Sequence, residues 1–332
     1  MGWDLKENLP EPENYTLSRF TFENGETIEN LNVEYLTIGK PKYDENNLIT
    51  NAIIYFHGSS GSASSVKRLS PIVGPNRPLD PENIFIISLS ALGSPNSASP
   101  SNTLSYKFPQ YTIKDMVNFQ FQFLKEKFNI SHLKGVIGTS MGGFQALQWA
   151  VSYPDSLDFL MPIVTSYKVA GLNYAGSKFS TQLITEHPDY KNGKYGDNPI
   201  KATKKAAEFE YMFGLSKEHY RLNLTNAEID KCMEEMAIEG SLDDANDIVW
   251  RNKASLSYNL ENELDKIKVP TLIMSVKQDQ YFPPELDGIP LNEKIVNSKL
   301  LILDSTWGHI GTDSMLDYEE DIIQFLEPHI KI

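Results

Sequence analysis

A serine flanked by glycines is the sharpest chemical signal in the sequence. Residues 138–142 read Gly-Thr-Ser-Met-Gly and match the pattern G-x-S-x-G. An apolar stretch typical of a strand comes directly before them, and an amphipathic stretch typical of a helix follows. This context indicates a nucleophile elbow, a turn so tight that the residues two before and two after the serine must be small. We therefore predict that Ser140 is a nucleophile at a helix N-terminus, where backbone N–H groups favour negative charge.

The base that would activate this serine is predicted from chain order. A serine hydroxyl is a weak nucleophile without a neighbouring base, and after a nucleophile elbow the order is serine, acid, histidine. Of the six histidines, His309 both satisfies this order and follows a predicted strand across a short loop. The others precede Ser140, fall in a polar helical region or lie near the C-terminus: His57, His132, His187, His219 and His329. We predict His309 as the base.

The acid of the predicted triad should follow the preceding strand. Residues 271–276 form an apolar stretch, and Asp279 comes three residues after it. Its role would be to hold the histidine tautomer and to stabilise the imidazolium. Two other aspartates fit less well, because Asp304 is only five residues from His309 and Asp287 lies beyond two prolines. We predict Asp279.

An oxyanion hole needs two backbone N–H donors, each worth about 3 kcal/mol of barrier. One comes from the residue after the nucleophile, here Met141, and the other from a loop after an earlier strand. The apolar stretch 52–56 runs into His-Gly-Ser-Ser-Gly, a loop that suits close backbone approach. We predict Ser59 as the second donor, with Ser60 as the alternative.

The elements that must carry these residues alternate along the chain. Apolar stretches typical of strands alternate with amphipathic stretches typical of helices, which indicates a mostly parallel sheet covered on both faces. The predicted strands are 31–37, 52–56, 83–89, 134–137, 157–164, 271–276 and 299–303, and the predicted helices are 113–128, 141–152 and 318–326.

A polar, helical segment interrupts this alternation at residues 166–263. We interpret it as a helical lid inserted into one α/β domain, which comprises residues 1–165 and 264–332. The predicted fold class is therefore α/β, with a mostly parallel sheet flanked by helices. The lid should cover the carboxyl ends of the strands, where ligands bind in open α/β sheets.

The composition excludes several classes of protein. The chain has 332 residues, with 30 Lys+Arg against 44 Asp+Glu and a formal charge of −14, which argues against nucleic-acid binding. No stretch approaches the ~20 apolar residues of a membrane span, and the N-terminal twenty residues lack the apolar core of a signal peptide. Cys232 is the only cysteine, which excludes an intrachain disulfide and is typical of a reducing cytosol. We expect a cytoplasmic protein that does not bind membranes.

Motifs for metals and bound cofactors are absent from the sequence. There is no H-E-x-x-H, no paired-cysteine zinc spacing, no G-x-G-x-x-G and no phosphate-binding P-loop. We expect no metal and no bound cofactor.

Several segments together resemble the homoserine O-acetyltransferase branch of the α/β-hydrolase superfamily. The most specific are TIxDMV at 112–117, SMGGxQALxWA at 140–150 and DxxFPPE at 279–285. Shorter matches lie at 72–75, 79–80, 92–93, 108–109, 153–154, 269–272 and 308–309. The resemblance implies an α/β-hydrolase fold with a helical lid and the same triad. It also implies acylation of the serine by acetyl-CoA and transfer of the acetyl group to homoserine. It also implies a homodimer.

The sequence departs from this branch where the amino-acid substrate would be bound. The resemblance implies an acidic residue directly after the catalytic histidine, but Ile310 stands there. It also implies a lid arginine, whereas residues 202–209 offer only Lys204 and Lys205, which lack the bidentate fork of arginine. The glycine-rich stretch after the third strand is replaced by SPNSASPSN at 94–102. Each missing charge pair is worth about a few kcal/mol in a dry site.

Three functional hypotheses follow. The first is a serine-dependent carboxylic ester hydrolase or O-acyltransferase whose acceptor is water or an alcohol other than homoserine. The second is a genuine acetyl-CoA:homoserine O-acetyltransferase of methionine biosynthesis. The third is a non-catalytic binding protein on the same fold, because a fold alone does not fix a function.

Overall fold

The computed structural model describes residues 4–330, which form an eight-stranded sheet flanked by helices. The strands are ordered β1-β2-β4-β3-β5-β6-β7-β8, and every pair from β4 to β8 is parallel. The strands are β1 (Glu13–Thr21), β2 (Thr27–Gly39), β3 (Ala52–Phe56), β4 (Phe85–Leu89), β5 (Leu133–Thr139), β6 (Leu157–Ile163), β7 (Thr271–Val276) and β8 (Ser298–Leu303).

The central strands are buried on both faces, as their continuous apolar sequence predicts. Every residue of β3, β4 and β7 is buried, and β5 and β6 each have a single partly exposed residue. Two layers of helices must therefore cover the sheet, and two clusters of buried apolar side chains lie on its two sides.

The first strand is one that the sequence prediction missed. β1 and β2 form an antiparallel hairpin at the edge of the sheet, and β2 extends the predicted strand 31–37 in both directions. Only Leu17 and Phe20 of β1 are fully buried, so its pattern of apolar residues is too sparse to indicate a strand. Pairing with β2, rather than its own sequence, makes this segment a strand.

Nine α-helices accompany the strands within the described residues. Helices α1 and α2 have the predicted bounds, and the predicted closing helix begins one residue later than expected, as α9. The helices are α1 (Ile113–Phe128), α2 (Met141–Ser152), α3 (Gly171–Thr185), α4 (Ile200–Gly214), α5 (Lys217–Asn223), α6 (Asn226–Gly240), α7 (Ala245–Leu256), α8 (Gly288–Lys294) and α9 (Glu319–Leu326).

Residues 166–263, all of which the structure describes, contain α3 to α7 and no strand. This helical content agrees with the segment that we interpret as a lid, although the division into domains stays a prediction. Helices α4 and α6 pack on each other, and α3 packs on both α4 and α7. No helix between residues 4 and 330 has the length and apolar character needed to cross a membrane.

The TIxDMV motif owes two of its residues to helix capping. Thr112 is the N-cap of α1, and its hydroxyl accepts the backbone N–H of Asp115. The buried Asp115 carboxylate in turn accepts the N–H of Thr112 at 2.9 Å and that of Glu23 at 2.7 Å. Glu23 lies in the turn between β1 and β2. The Asp115 carboxylate therefore caps the N-terminus of α1 and links the turn of the β1–β2 hairpin to this helix.

Asp115→Ala should lower the free energy of unfolding by about 2–3 kcal/mol, because it removes a helix cap and leaves two backbone donors without an acceptor. Urea denaturation measures the loss. Glu228→Ala is the matched control, since Glu228 occupies the same capping-box position on the exposed start of α6. Equal losses in the two variants would contradict a role for Asp115 beyond capping.

Candidate active site

The backbone at Ser140 has the conformation of a nucleophile elbow. Ser140 follows the last residue of β5 and precedes α2, with φ 57° and ψ −122°, a conformation that non-glycine residues rarely adopt. The flanking glycines are required by space: a Cβ on Gly138 would lie 2.0 Å from the Gly142 carbonyl oxygen, and one on Gly142 would lie 2.0 Å from the Phe56 carbonyl oxygen. The turn therefore exposes the serine side chain at the carboxyl end of the sheet.

Two hydrogen bonds from β6 and the residues after it hold this turn. The Ser140 N–H donates to the Ile163 carbonyl at 3.0 Å, and the Thr165 hydroxyl donates to the Ser140 carbonyl at 2.8 Å. A Cβ on Gly143 would collide with the Thr165 side chain at 2.4 Å, so α2 starts in close contact with that residue. The conformation of Ser140 is thus set by its neighbours in the sheet.

Ser140, His309 and Asp279 form an unbroken chain of hydrogen bonds. His309 Nε2 lies 2.8 Å from Ser140 Oγ, and His309 Nδ1 lies 2.8 Å from Asp279 Oδ2. Ser140 and His309 are 169 positions apart along the chain, and Asp279 and His309 are 30 positions apart. In this geometry the imidazole can take the serine proton while the carboxylate holds the opposite ring nitrogen. The structure brings together the three residues predicted from the sequence, and their catalytic roles stay a prediction.

The Asp279 carboxylate is fully buried and its charge is compensated locally. Its Oδ1 accepts the backbone N–H of Tyr281 at 2.8 Å and that of Phe282 at 3.2 Å, which leaves Oδ2 for the histidine. The rings of Tyr281 and Phe282 also pack on the His309 ring, with centroids 5.0 and 5.6 Å apart. By contrast, Asp304 contacts Gln278 and Lys277 at the surface.

The loop after β3 approaches the nucleophile closely. A Cβ on Gly58 would lie 3.3 Å from the Ser140 Cβ, and Ser59 and Ser60 line the same cavity as Ser140. Met141 is the first residue of α2, so its N–H has no acceptor within the helix. These positions agree with the predicted oxyanion hole of Met141 and Ser59, which stays a prediction. The Arg251 guanidinium of α7 donates to the Ser59 carbonyl at 3.0 Å and steadies this loop.

His57 supports the loop after β3 through two hydrogen bonds, a role that the order of residues along the chain did not reveal. The ring is buried, its Nε2 accepts the Ala91 N–H at 2.9 Å, and its Nδ1 lies 2.7 Å from the Gly58 carbonyl oxygen. Both contacts are satisfied only by a neutral ring protonated on Nδ1. Burial lowers the pKa of His57 to about 4, which keeps the ring neutral. The signal in the sequence was a histidine directly after a buried strand.

A cavity of about 660 Å³ opens above Ser140. Its walls combine the loops after β3, β5, β7 and β8 with helices of the lid segment. Four carboxylates line it, and among its described lining residues the one cationic side chain is Arg68. The four are Glu210, Glu235, Glu239 and Asp243.

Of the positions where the sequence departs from the homoserine O-acetyltransferase branch, Ile310 lines the cavity, whereas Lys204 and Lys205 do not. Ile310, which stands where the resemblance implies an acid, lines the cavity beside His309. Lys205 pairs with Glu208, and neither Lys204 nor Lys205 is among the described residues that line the cavity. The structure therefore gives no support to either lysine as the substitute for a lid arginine.

Within residues 4–330, no group of three or more His, Cys, Asp or Glu side chains is arranged to hold a metal ion. The expectation of no metal and no bound cofactor stays a prediction.

The match to a known family decides the class of this chain. A family model described as the alpha/beta hydrolase fold matches residues 51–313. The chain belongs to this family. The match includes Ser140, Asp279 and His309, and with the observed sheet it confirms the predicted fold class.

Comparison with individual proteins narrows the branch. The chain is 48% identical over 313 residues to a probable acyltransferase from Methanothermobacter thermautotrophicus, a match that covers 94% of this chain and 96% of that protein. It is 28% identical over 315 residues to a homoserine O-acetyltransferase from Trichormus variabilis, covering 87% and 86%. The solved structure of the acetyl esterase MekB matches with a TM-score of 0.85 at 25% identity, covering 97% and 98%.

These comparisons confirm the resemblance to the homoserine O-acetyltransferase-like branch. The chain is an enzyme of the acyl-transferring and ester-cleaving kind. The proteins that the chain resembles thus include a probable acyltransferase, a homoserine O-acetyltransferase and an acetyl esterase.

Asp279→Asn should lower kcat about 10⁴-fold, because the amide NH₂ would face His309 Nδ1 and favour the wrong imidazole tautomer. Steady-state hydrolysis of a short acyl ester measures the change. Asp304→Asn, which alters the other candidate acid, should leave kcat within about twofold of wild type. A larger loss for Asp304→Asn than for Asp279→Asn would refute the assignment.

The buried His57 predicts a loss of stability in acid. An unfolded chain protonates this histidine below its ordinary pKa of 6.5, but the folded chain does so only near 4. Its contribution to stability is therefore complete above pH 6.5 and disappears as the pH falls to 4, a change of about 3 kcal/mol. Urea denaturation between pH 7 and pH 4 should show that wild type loses more stability than His57→Asn. Parallel losses in the two proteins would count against a neutral, buried ring.

Proposed function

We propose that this enzyme transfers acyl groups through an acyl-enzyme on Ser140, with a carboxylic ester as donor and water or a simple alcohol as acceptor. The proposal rests on the hydrogen-bond chain from Ser140 through His309 to Asp279, which opens into the cavity. A serine hydroxyl with such a base is the usual nucleophile of this chemistry. The similarity to a probable acyltransferase and to an acetyl esterase supports the same class of reaction.

The first half of the reaction forms the acyl-enzyme. His309 Nε2 takes the proton of Ser140 Oγ as Oγ attacks the carbonyl carbon of the ester. The negative charge that develops on the carbonyl oxygen is stabilised by the N–H groups of Met141 and Ser59 and by the N-terminus of α2. The tetrahedral intermediate collapses, and the imidazolium returns its proton to the departing alkoxide. Asp279 stabilises the imidazolium throughout these steps.

The second half of the reaction repeats these steps with the acceptor. Water or an alcohol enters the cavity and loses its proton to His309 as its oxygen attacks the acyl carbonyl. When the second intermediate collapses, the bond between Ser140 Oγ and the acyl carbon breaks and Oγ takes a proton from the imidazolium. An acid or a new ester is released. The enzyme needs no further reactant, because every proton that leaves one oxygen is delivered to another by the same imidazole.

The charge of the cavity wall favours a donor without phosphate groups. Four carboxylates and one guanidinium are among the described residues that line the cavity, so its walls are predominantly acidic. The phosphates of acetyl-CoA would meet like charge there, and like-charge contacts cost affinity. The position after His309 is Ile310, which offers no acid for an amino group. As acyl donor, an uncharged acetyl or short acyl ester therefore fits these acidic walls better than acetyl-CoA.

Homoserine O-acetyltransferase activity is the second candidate, and acetyl-CoA would then be the acyl donor. It is supported by the 28% identity to the enzyme of Trichormus variabilis over most of both chains. In either case we propose a small-molecule substrate. The homodimer and the cytoplasmic location predicted from the sequence remain part of the proposal.

Ser140→Ala should reduce turnover of p-nitrophenyl acetate by roughly 10⁶-fold, because the nucleophile of both half-reactions is lost. A fluorophosphonate probe should label wild type at Ser140 and leave the variant unlabelled. Ser177→Ala is the matched control, since this serine lines the same cavity away from the triad and should be labelled like wild type. Near-normal activity of Ser140→Ala would end the proposal.

A substrate panel then separates the acceptors. Short acyl esters and acetyl-CoA are assayed with and without homoserine, with product identified by mass spectrometry. Hydrolysis of esters without dependence on homoserine supports the esterase. Acetylhomoserine formed from acetyl-CoA with ping-pong kinetics supports the second candidate instead. A folded wild-type protein that neither turns over any of these substrates nor reacts with the probe would indicate a binding protein.

A further inference from the structure

The lid segment contacts both loops that carry the predicted acid and base. The contacts converge on residues 210–219, the end of α4 and the start of α5, which we call the lid junction. On the acid loop, the Gln280 side chain donates to the Leu215 carbonyl at 2.6 Å, and the Tyr281 hydroxyl donates to the Glu210 carbonyl at 2.8 Å. These are the two residues that directly follow Asp279.

Ser216 makes the matching contact with the histidine loop. Its side chain is completely buried, its hydroxyl donates to the Thr306 carbonyl at 2.6 Å, and the same oxygen accepts the His219 N–H at 2.9 Å. The second bond makes Ser216 the N-cap of α5. The His219 ring also packs on the Trp307 ring, with centroids 4.5 Å apart. One hydroxyl therefore joins the lid helix to the loop that leads to His309.

The two surfaces touch along the backbone as well. Gly308 has φ +60°, and a Cβ there would lie 2.6 Å from the Ser216 nitrogen, so only glycine allows the loop to approach the junction this closely. At their base the two loops are also joined directly, because the Gln278 side chain bonds to Ser305 and Asp304. The contacts of the lid junction hold the acid loop and the histidine loop at a second place, next to the predicted catalytic residues.

We infer that Ser216 is a positioning residue, which holds the His309 loop so that the imidazole stays in line between Ser140 and Asp279. Ser216 is not among the described residues that line the cavity, so it acts through the loop and not on the substrate. Loss of its hydroxyl frees the Thr306 carbonyl and lets the loop shift. The inference rests on the proposed function, because it assigns the lid a part in positioning the base.

Ser216→Ala should lower kcat for p-nitrophenyl acetate by about 10- to 100-fold and leave KM within about twofold, because small misplacements of a catalytic group are costly while substrate contacts are kept. The rate constant of fluorophosphonate labelling should fall by a similar factor. Ser216→Thr, which retains the hydroxyl, should recover most of kcat. Circular dichroism and urea denaturation confirm that each variant is folded.

Thr225→Ala is the matched control, since it removes the N-cap of α6 in the same lid segment, far from either loop in sequence. It should lower stability and leave kcat within about twofold of wild type. Wild-type kcat in Ser216→Ala, or an equal loss of kcat in Thr225→Ala, would overturn the inference. If Ser216→Ala does not fold, His219→Ala tests the neighbouring contact of the lid junction with the same loop, because it removes the ring that packs on Trp307 and retains the capping N–H. It should also lower kcat. Activity in wild type that survives in Ser140→Ala would refute the proposed function instead.

Discussion

The strained backbone of Ser140 is the constraint on which the rest of the site depends. Holding a serine at φ 57° and ψ −122° costs about 1–3 kcal/mol, and isolated strand and helix segments would not retain it. The turn persists because β5 lies between β3 and β6, with Thr165 bonded to the serine carbonyl and the β3 backbone filling the space beside Gly142. The packing of the sheet thus exposes the Ser140 hydroxyl.

Two histidines near this serine have different surroundings. His57 is buried with one hydrogen-bond donor and one acceptor, and burial lowers its pKa to about 4, so it supports the loop as a neutral ring. His309 instead bonds to the buried Asp279 carboxylate and to Ser140 Oγ, the contacts that its proposed role as the base requires. Histidine therefore has a structural role at position 57 and the proposed role of base at position 309. The difference is that His309 bonds to a carboxylate, whereas His57 bonds to backbone groups.

The sequence predicted the buried strands and the elbow well, because both rest on local rules. Fully buried strands read as continuous apolar stretches, and 52–56 and 271–276 were predicted with their observed bounds. The edge strand β1 escaped prediction, since most of its side chains are exposed and its pairing with β2 creates it. The lysines at 204 and 205 illustrate the same limit: helical sequence indicated a lid, but not which face of α4 meets the cavity.

What the sequence determined by itself was the choice and order of the candidate residues, because chain order and turn chemistry restrict which serine, acid and histidine can serve together. Tertiary structure decided everything that depends on distance. Only the folded chain brings Asp279 Oδ2 and His309 Nδ1 to 2.8 Å, lines the cavity with carboxylates, and places Ser216 against the loop that precedes His309. These contacts join residues far apart in sequence, and a local pattern does not give the distances between them.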